Sequence, residues 1–160
     1  MKKLAILLTV AACMLALPAF SGAAEQKVIR LGENKSASGP EDWFTGKVRV
    51  DPLFPADDNV NASGAYVTFE PGARSAWHEH PAGQTLVVIS GVGRTGTADG
   101  KVWEIKAGDV VRCPANTRHW HGAAPDTGMT HMAITGYKDG QNAVWHDKVT
   151  DEEYNKPLVK

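Results

Sequence analysis

The chain has 160 residues, with 17 Lys and Arg against 18 Asp and Glu and a formal net charge of −1. This length suits one domain with a proper core and is too short for two domains beside a leader segment. The near-neutral charge, without a basic run, excludes nucleic acid as a partner.

Residues 1–24 have the three parts of a secretory signal peptide. A basic start with two lysines is followed by an almost wholly apolar run up to Phe20 and by small residues from Ser21 to Ala24. Pro18 interrupts the apolar run before it reaches a comfortable membrane-spanning length. We therefore predict cleavage near Ala24 and a secreted or periplasmic bacterial protein that is not attached to the membrane.

Two other interpretations of this segment stay open. One is an uncleaved membrane anchor, although no basic stop signal follows the run, and the other is a lipoprotein signal that ends at Cys13. Cleavage near Ala24 removes two lysines and leaves 136 residues with 15 basic and 18 acidic side chains, a net charge of −3. Cys113 is then the only cysteine, which excludes an internal disulfide.

From Glu25 onward, short apolar stretches with a period of two are separated by Gly, Pro and Asp. Asp51-Pro52 is predicted to end the first strand and Gly91 to end the third. Strands this short and evenly spaced are typical of an all-β sandwich or barrel. The predicted strands cover residues 48–50, 66–69, 85–89, 102–105, 110–111 and 129–134.

The segments between and after these strands indicate a loop, a hairpin and a helix. Residues 36–42 are rich in Ser, Gly and Pro and are predicted to form an ordered loop or arm. Residues 98–101 contain Asp-Gly, which readily adopts a tight hairpin turn. Thr150, followed three residues later by Glu153, matches a capping box and predicts a short C-terminal helix.

Two His-x-His pairs provide the strongest functional signal. His78 and His80 point to the same face of a strand, as do His119 and His121. After a Pro-Ala-Gly turn, Gln84 opens the next strand with the same parity, so its amide oxygen can reach the point at which the imidazoles converge. Imidazole with an oxygen donor suits Mn, Fe, Co, Ni, Cu or Zn better than Ca or Mg. We therefore predict a divalent transition-metal site formed by His78, His80, Gln84 and a third imidazole from the pair His119 and His121.

Other roles were weighed for these side chains. A lone His-x-His pair is more often a surface or hydrogen-bonded pair, but two pairs in a chain with six histidines favour metal binding. Trp77 and Trp120 lie on the opposite strand face from the ligands and are predicted to pack in the core. His146 is predicted to be structural or exposed.

The spacing around each pair resembles one of the two cupin motifs. The first motif has Gln in the usual Glu place and consists of Gly72, His78, His80, Gln84 and Gly91. The second motif has Asn where Gly is commoner and consists of Gly108, Pro114, Asn116 and His119. Both motifs occur in the family's order and at a plausible distance from each other.

Beyond the motifs, the chain resembles the small single-domain bacterial cupins related to the manganese-dependent hydroxynitrile lyases. The resemblance implies one cupin domain over residues 25–160, with a jelly-roll-like, two-sheet β-barrel core at about 45–137 and a short C-terminal helix. It also implies a homodimer. The similarity covers roughly residues 28–154 and is clearest at 39–46, 51–54, 68–77, 119–125, 129–131 and 149–152.

The same resemblance implies a cofactor and a set of pocket residues. The metal, held by His78, His80, Gln84 and His119, would be Mn(II), with Fe(II), Zn(II), Co(II) or Ni(II) as alternatives. His121 and His131 would lie near it in the pocket. Two departures concern the substrate rather than the metal site. Thr135 stands where members close to the lyases often have Gln, and the chain is predicted to be exported.

The neutral ligand set favours Lewis-acid chemistry over oxygen activation. Three imidazoles and an amide leave the +2 charge of a metal uncompensated, which polarises a bound oxygen and disfavours oxidation to +3. The expected reaction is reversible cleavage of a small-molecule cyanohydrin to an aldehyde and cyanide, with His121 or His131 as the base.

Several alternatives stay open. His121 could instead hydrogen-bond the metal ligands, and His131 could be a satisfied core histidine. The protein could also be a cupin oxygenase, or a non-catalytic periplasmic protein that binds a metal or another ligand.

Overall fold

A computed structural model describes residues 25–30 and 32–159. The predicted signal peptide, residues 1–24, lies outside the described residues. Within the described part of the chain, no helix is long and apolar enough to cross a membrane. The regular structure there is almost entirely strand, which confirms the all-β prediction.

Twelve strands and one short helix form this part of the chain. In chain order they are β1 (Ala37–Ser38), β2 (Phe44–Thr45), β3 (Val48–Phe54), β4 (Ala62–Phe69), β5 (Arg74–Ser75), β6 (His78–Glu79), β7 (Gln84–Thr97), β8 (Val102–Lys106), β9 (Val110–Cys113), β10 (His119–Ala123), β11 (Met129–Gly136), β12 (Val144–Trp145) and α1 (Asp151–Tyr154).

The strands form two antiparallel sheets that share β7. The first sheet has the order β1-β3-β4-β11-β7-β9 and uses the first half of β7. The second has the order β2-β5-β10-β7-β8 and uses the second half of β7. In this sheet β6 also pairs with β10, and β12 pairs with β6. One buried cluster with residues from both sheets fills the space between them. This arrangement confirms the predicted two-sheet, cupin-type barrel.

The predicted end of the third strand at Gly91 is wrong, because β7 continues to Thr97. Gly91 has a φ of +79°, and a Cβ built there would lie 1.9 Å from the Gly128 carbonyl oxygen. The pairing of β11 with β7 shifts register nearby, between Thr130 and His131. Gly91 therefore bends the strand and lets it pass from the first sheet into the second.

The predicted end of the first strand at Asp51-Pro52 is also wrong, because β3 continues to Phe54. Pro52 pairs with Ala65 of β4, and the register shifts immediately after it. On the other side, β1 pairs only with Arg49 and Val50. A proline is tolerated here because it lies at a bulge on a sparsely paired edge.

The other predicted strands lie inside β4, β8, β9 and β11, and the loop at residues 36–42 contains β1. The predicted hairpin joins β7 to β8, and Gly100 supplies the positive φ of +85° in the turn. The capping box at the start of α1 is confirmed, with Thr150 and Glu153 each bonding the other's backbone N–H.

A second buried cluster lies between the second sheet and α1. Tyr154 of the helix is 3% exposed, and its hydroxyl donates to the Ala123 carbonyl oxygen at 2.7 Å. Trp77 and Trp120 belong to this cluster, as expected for tryptophans on the strand face opposite the histidines. The helix thus covers the outside of the sheet whose inner face presents those histidines.

Candidate active site

The two His-x-His pairs meet inside the barrel. His78 of β6 and His119 of β10 are directly opposite each other in the antiparallel pairing. Their ring centroids are 4.3 Å apart, and the His80 ring lies 5.0 Å from His78 and 5.5 Å from His119. All three side chains are buried, and one nitrogen from each lies within 4.8 Å of those of the other two.

The turn after His80 brings Gln84 to the same place. Gly83 has a φ of +79°, and its N–H donates to the His80 carbonyl oxygen at 3.1 Å. The Asn116 N–H donates to the same oxygen at 2.9 Å, which ties the second motif to the first. Asn116 itself has a φ of 58°, a conformation that Gly adopts readily and that Asn tolerates better than most residues.

The hydrogen bonds of the three histidines determine which ring nitrogen carries the proton. In each ring, Nδ1 faces a backbone carbonyl oxygen, which can only accept. Nδ1 must therefore donate, and Nε2 keeps its lone pair, as in histidines that bind a metal through Nε2. The donor–acceptor pairs are His78 to Ala76 at 2.9 Å, His119 to Thr117 at 2.8 Å, and His80 to Asn142.

The Gln84 amide completes a set of converging acceptors. Its Nε2 donates to the Thr135 hydroxyl at 3.0 Å, so its Oε1 faces His119 Nε2 at 3.4 Å. Both of these facing atoms carry lone pairs, and no hydrogen lies between them. Within the described residues, the buried His80 Nε2 has no hydrogen-bond partner. Lone pairs gathered without a donor fit a bound cation, and imidazole with an amide oxygen suits a transition metal.

Burial also keeps the three imidazoles in the neutral form that a metal requires. Desolvation lowers the pKa of His119 to about 4 and lowers that of His80. It lowers the pKa of His78 well below the ordinary value, and the neighbouring His119 adds to this effect. Protons therefore do not compete with a metal for these nitrogens near neutral pH.

His121 and His131 form a second buried pair next to these three histidines. His131 Nε2 and His121 Nδ1 are 3.1 Å apart, and Phe69 packs against both rings. The His121 ring is also 5.0 Å from that of His78. Desolvation lowers the pKa of His131 to about 3 and that of His121 well below its usual value. Both predicted pocket histidines are thus neutral and lie beside His78, His80 and His119.

A cavity of about 430 Å³ connects these side chains to the surface. Trp43, Phe44 and Trp145 form an aromatic side of this cavity. The polar side chains on its wall include His78, His80, Gln84, His121 and His131. Trp43 and Trp145 are stacked, with ring centroids 5.0 Å apart and planes 2° from parallel. The Trp145 ring is 4.7 Å from that of His78, so the aromatic side extends to the converging histidines.

Sequence reasoning missed the two tryptophans and Asn142. They come from short segments before β2 and around β12, which have no strong pattern of their own. Pairing of β12 with β6 places Trp145 opposite His78. His146 is outside the cavity and half-exposed, 3.8 Å from Glu79.

Comparison with known proteins points to one family. The model of the cupin domain matches residues 65–135. A relative described as (R)-mandelonitrile lyase, from Granulicella tundricola, is 53% identical over 130 residues, which are 81% of this chain and 99% of the relative.

Solved structures agree with this result. A cupin-like protein from Thermotoga maritima has a TM-score of 0.72 and 40% identity, over 83% of this chain and 98% of that one. A polyketide cyclase from Streptomyces resistomycificus has a TM-score of 0.62 over 81% of this chain and 91% of its own. At 13% identity, the second likeness concerns the fold alone.

Proposed function

We propose that this chain, which belongs to the cupin family, is a metal-dependent lyase that reversibly cleaves a cyanohydrin to an aldehyde and hydrogen cyanide. One observation carries the proposal. The Nε2 lone pairs of His78, His80 and His119 converge with Gln84 Oε1, next to the His121–His131 pair and a cavity with an aromatic side. The 53% identical relative is an (R)-mandelonitrile lyase, which supports the same reaction.

His78, His80, His119 and Gln84 would hold a divalent transition metal, for which we propose Mn(II). The fit rests on the tautomers of the three imidazoles and on the orientation of the amide. A bound metal supplies Lewis acidity, since four neutral ligands leave its charge uncompensated. Fe(II), Zn(II), Co(II) and Ni(II) are alternatives, since sites of imidazole with an oxygen donor also bind these metals.

We assign the role of base to His121, because its ring contacts those of His78 and His119. When His121 donates through Nδ1 to His131 Nε2, its own Nε2 keeps a lone pair that has no hydrogen-bond partner among the described residues. His131 then orients the ring and fixes its tautomer. This division of roles matches the general pattern in which a base is held by a third group.

The reaction needs one proton transfer and one bond cleavage. His121 Nε2 takes the proton of the substrate hydroxyl, and the O–H electron pair becomes the second bond of the aldehyde carbonyl. The C–C bond breaks, and its electron pair leaves with cyanide. The His121 imidazolium then returns the proton to cyanide, which restores the neutral imidazole and releases hydrogen cyanide.

The cavity suits a substrate with an aromatic group. Trp43, Phe44 and Trp145 offer ring faces and edges that an aryl substituent can pack against, while the polar carbon lies at the histidines. Mandelonitrile, the substrate in the relative's name, has this shape. It is therefore the first compound to test.

The test is cleavage of (R)-mandelonitrile by the purified protein, followed as benzaldehyde release. We expect activity that is lost on chelation, returns with Mn(II), and is equal with and without dioxygen. His121→Gln should lose activity, whereas His146→Gln, which removes a histidine outside the cavity, should keep it. A requirement for dioxygen would instead favour an oxygenase. Metal binding without turnover of any cyanohydrin would favour a binding protein.

A further inference from the structure

Thr135 lies directly across from Gln84 in the pairing of β11 with β7. Both side chains are buried, with exposures of 7% and 9%. Gln84 Nε2 donates to Thr135 Oγ1 at 3.0 Å, and this is the hydrogen bond that the structure gives the amide nitrogen. The amide oxygen on the other side faces His119 Nε2 at 3.4 Å.

The orientation of this amide matters because its two ends differ in chemistry and hardly differ in shape. The oxygen end can bind a cation, whereas the NH2 end has only donors and repels one. With the oxygen turned toward the histidines, the buried NH2 group needs an acceptor, since an unsatisfied buried donor is costly. The Thr135 hydroxyl oxygen is that acceptor.

A carboxylate would not need this support. A Glu in the same place presents an oxygen whichever way its carboxylate rotates. Its ability to bind a cation therefore does not depend on a hydrogen-bond acceptor on the side away from the cation. A glutamine ligand therefore creates a requirement that the usual glutamate lacks. In this chain, the residue opposite Gln84 on the neighbouring strand meets that requirement.

We infer that Thr135 is a positioning residue, which holds the Gln84 oxygen toward the metal by accepting a hydrogen bond from the amide nitrogen. The inference rests on the metal site of the proposed function but not on the reaction catalysed there. Loss of the hydroxyl should weaken metal binding without removing a ligand. Residues that orient metal ligands typically change metal affinity about ten- to a hundredfold when they are replaced.

The experiment measures the Kd for Mn(II) from free Mn(II) in EPR titrations of the metal-free protein. We expect Thr135→Val, which keeps the shape and removes the hydroxyl, to raise this Kd about tenfold or more. Thr135→Ser should restore binding because it restores the acceptor. Thr130→Val is the matched control, since its hydroxyl lies on the same strand and bonds Thr68 at 3.0 Å, and it should bind Mn(II) like the wild type.

A second pair of variants separates orientation from general damage. In a Gln84→Glu background, adding Thr135→Val should change the Kd much less than in the wild type. Equal Mn(II) affinity in wild type and Thr135→Val, or the same weakening in both backgrounds, would overturn the inference. Mn(II) binding without cyanohydrin cleavage would overturn the proposed reaction and leave this inference standing. A wild-type chain that binds no divalent metal would overturn both.

Discussion

His121 and His131 share a hydrogen bond of 3.1 Å between Nδ1 and Nε2, although they are ten positions apart in the chain and lie in different sheets. Because His121 also contacts the rings of His78 and His119, the two members of the pair are not equivalent. The His131 ring instead contacts those of His121 and Phe69. This asymmetry leads to the first prediction.

His121→Gln should lower kcat/KM for (R)-mandelonitrile by about a hundredfold or more, since it removes the proposed base. His131→Gln should have a smaller effect, about tenfold, because the base remains and only its orientation is lost. Both variants should bind metal like the wild type. Steady-state rates at several pH values, together with elemental analysis, check this. A larger loss in His131→Gln would reverse the two roles.

Removing two metal ligands should abolish metal binding. His78→Ala with His119→Ala leaves one imidazole and one amide, which are too few donors for tight binding. Elemental analysis should then find about one divalent metal per wild-type chain and none in the double variant. Because a ligand of the folded state stabilises it, chelation should lower the unfolding temperature of the wild type only. Unchanged metal content in the double variant would contradict the ligand assignment.

Gln84→Glu should retain the metal and slow cyanohydrin cleavage. The added negative charge reduces polarisation of an oxygen near the metal. We expect a loss of at least about tenfold in kcat, which is about 1.4 kcal/mol of transition-state stabilisation. Thr85→Glu, which adds the same charge at the next position of the strand, on its opposite face, is the control and should affect kcat less. Faster cleavage in Gln84→Glu would argue against the Lewis-acid mechanism.

Acid should destabilise the metal-free protein. Burial lowers the pKa of His119 to about 4 and that of His131 to about 3, whereas histidine in the unfolded chain titrates near about 6.5. At pH values between the folded-state and the unfolded-state pKa, the unfolded chain binds protons that the folded chain does not. Stability is therefore fully present above about pH 6.5 and falls as the pH decreases, by about 1.4 kcal/mol per pH unit for each such histidine.

Urea denaturation of the chelated protein between about pH 8 and pH 4 measures this slope. His131→Gln removes one titrating group. It should reduce the slope of the unfolding free energy against pH by the contribution of about one proton, which is about 1.4 kcal/mol per pH unit. Identical slopes in the wild type and the variant would show that His131 does not contribute.

The exported protein should begin near Glu25. The basic start, apolar run and small residues of the leader carry this prediction. N-terminal sequencing of protein from the native host checks it. Recovery of a soluble form that begins at Met1 would contradict export, and an acylated N-terminus at Cys13 would support the lipoprotein interpretation.

Two strand boundaries show why the sequence predicted the fold class better than its details. Gly91 and Asp51-Pro52 are ordinary strand terminators, yet β7 and β3 pass through them. Whether Gly ends or bends a strand depends on whether partners continue on both sides of it. At Gly91 the partners change from β11 and β9 to β10 and β8, which local composition does not reveal.

The sequence by itself determined the all-β class, the parity that puts His78 and His80 on one face, and the two spacings that resemble the cupin motifs. These features are local, because side chains alternate between the two faces of a strand with a period of two, and turn residues set the backbone conformation at their own positions. Only the tertiary structure decided which hydrogen-bond partner orients each of the converging side chains. The Gln84–Thr135 and His80–Asn142 contacts join residues 51 and 62 positions apart. Such contacts depend on how the strands pair and how the chain returns over the barrel, so local pattern could not predict them.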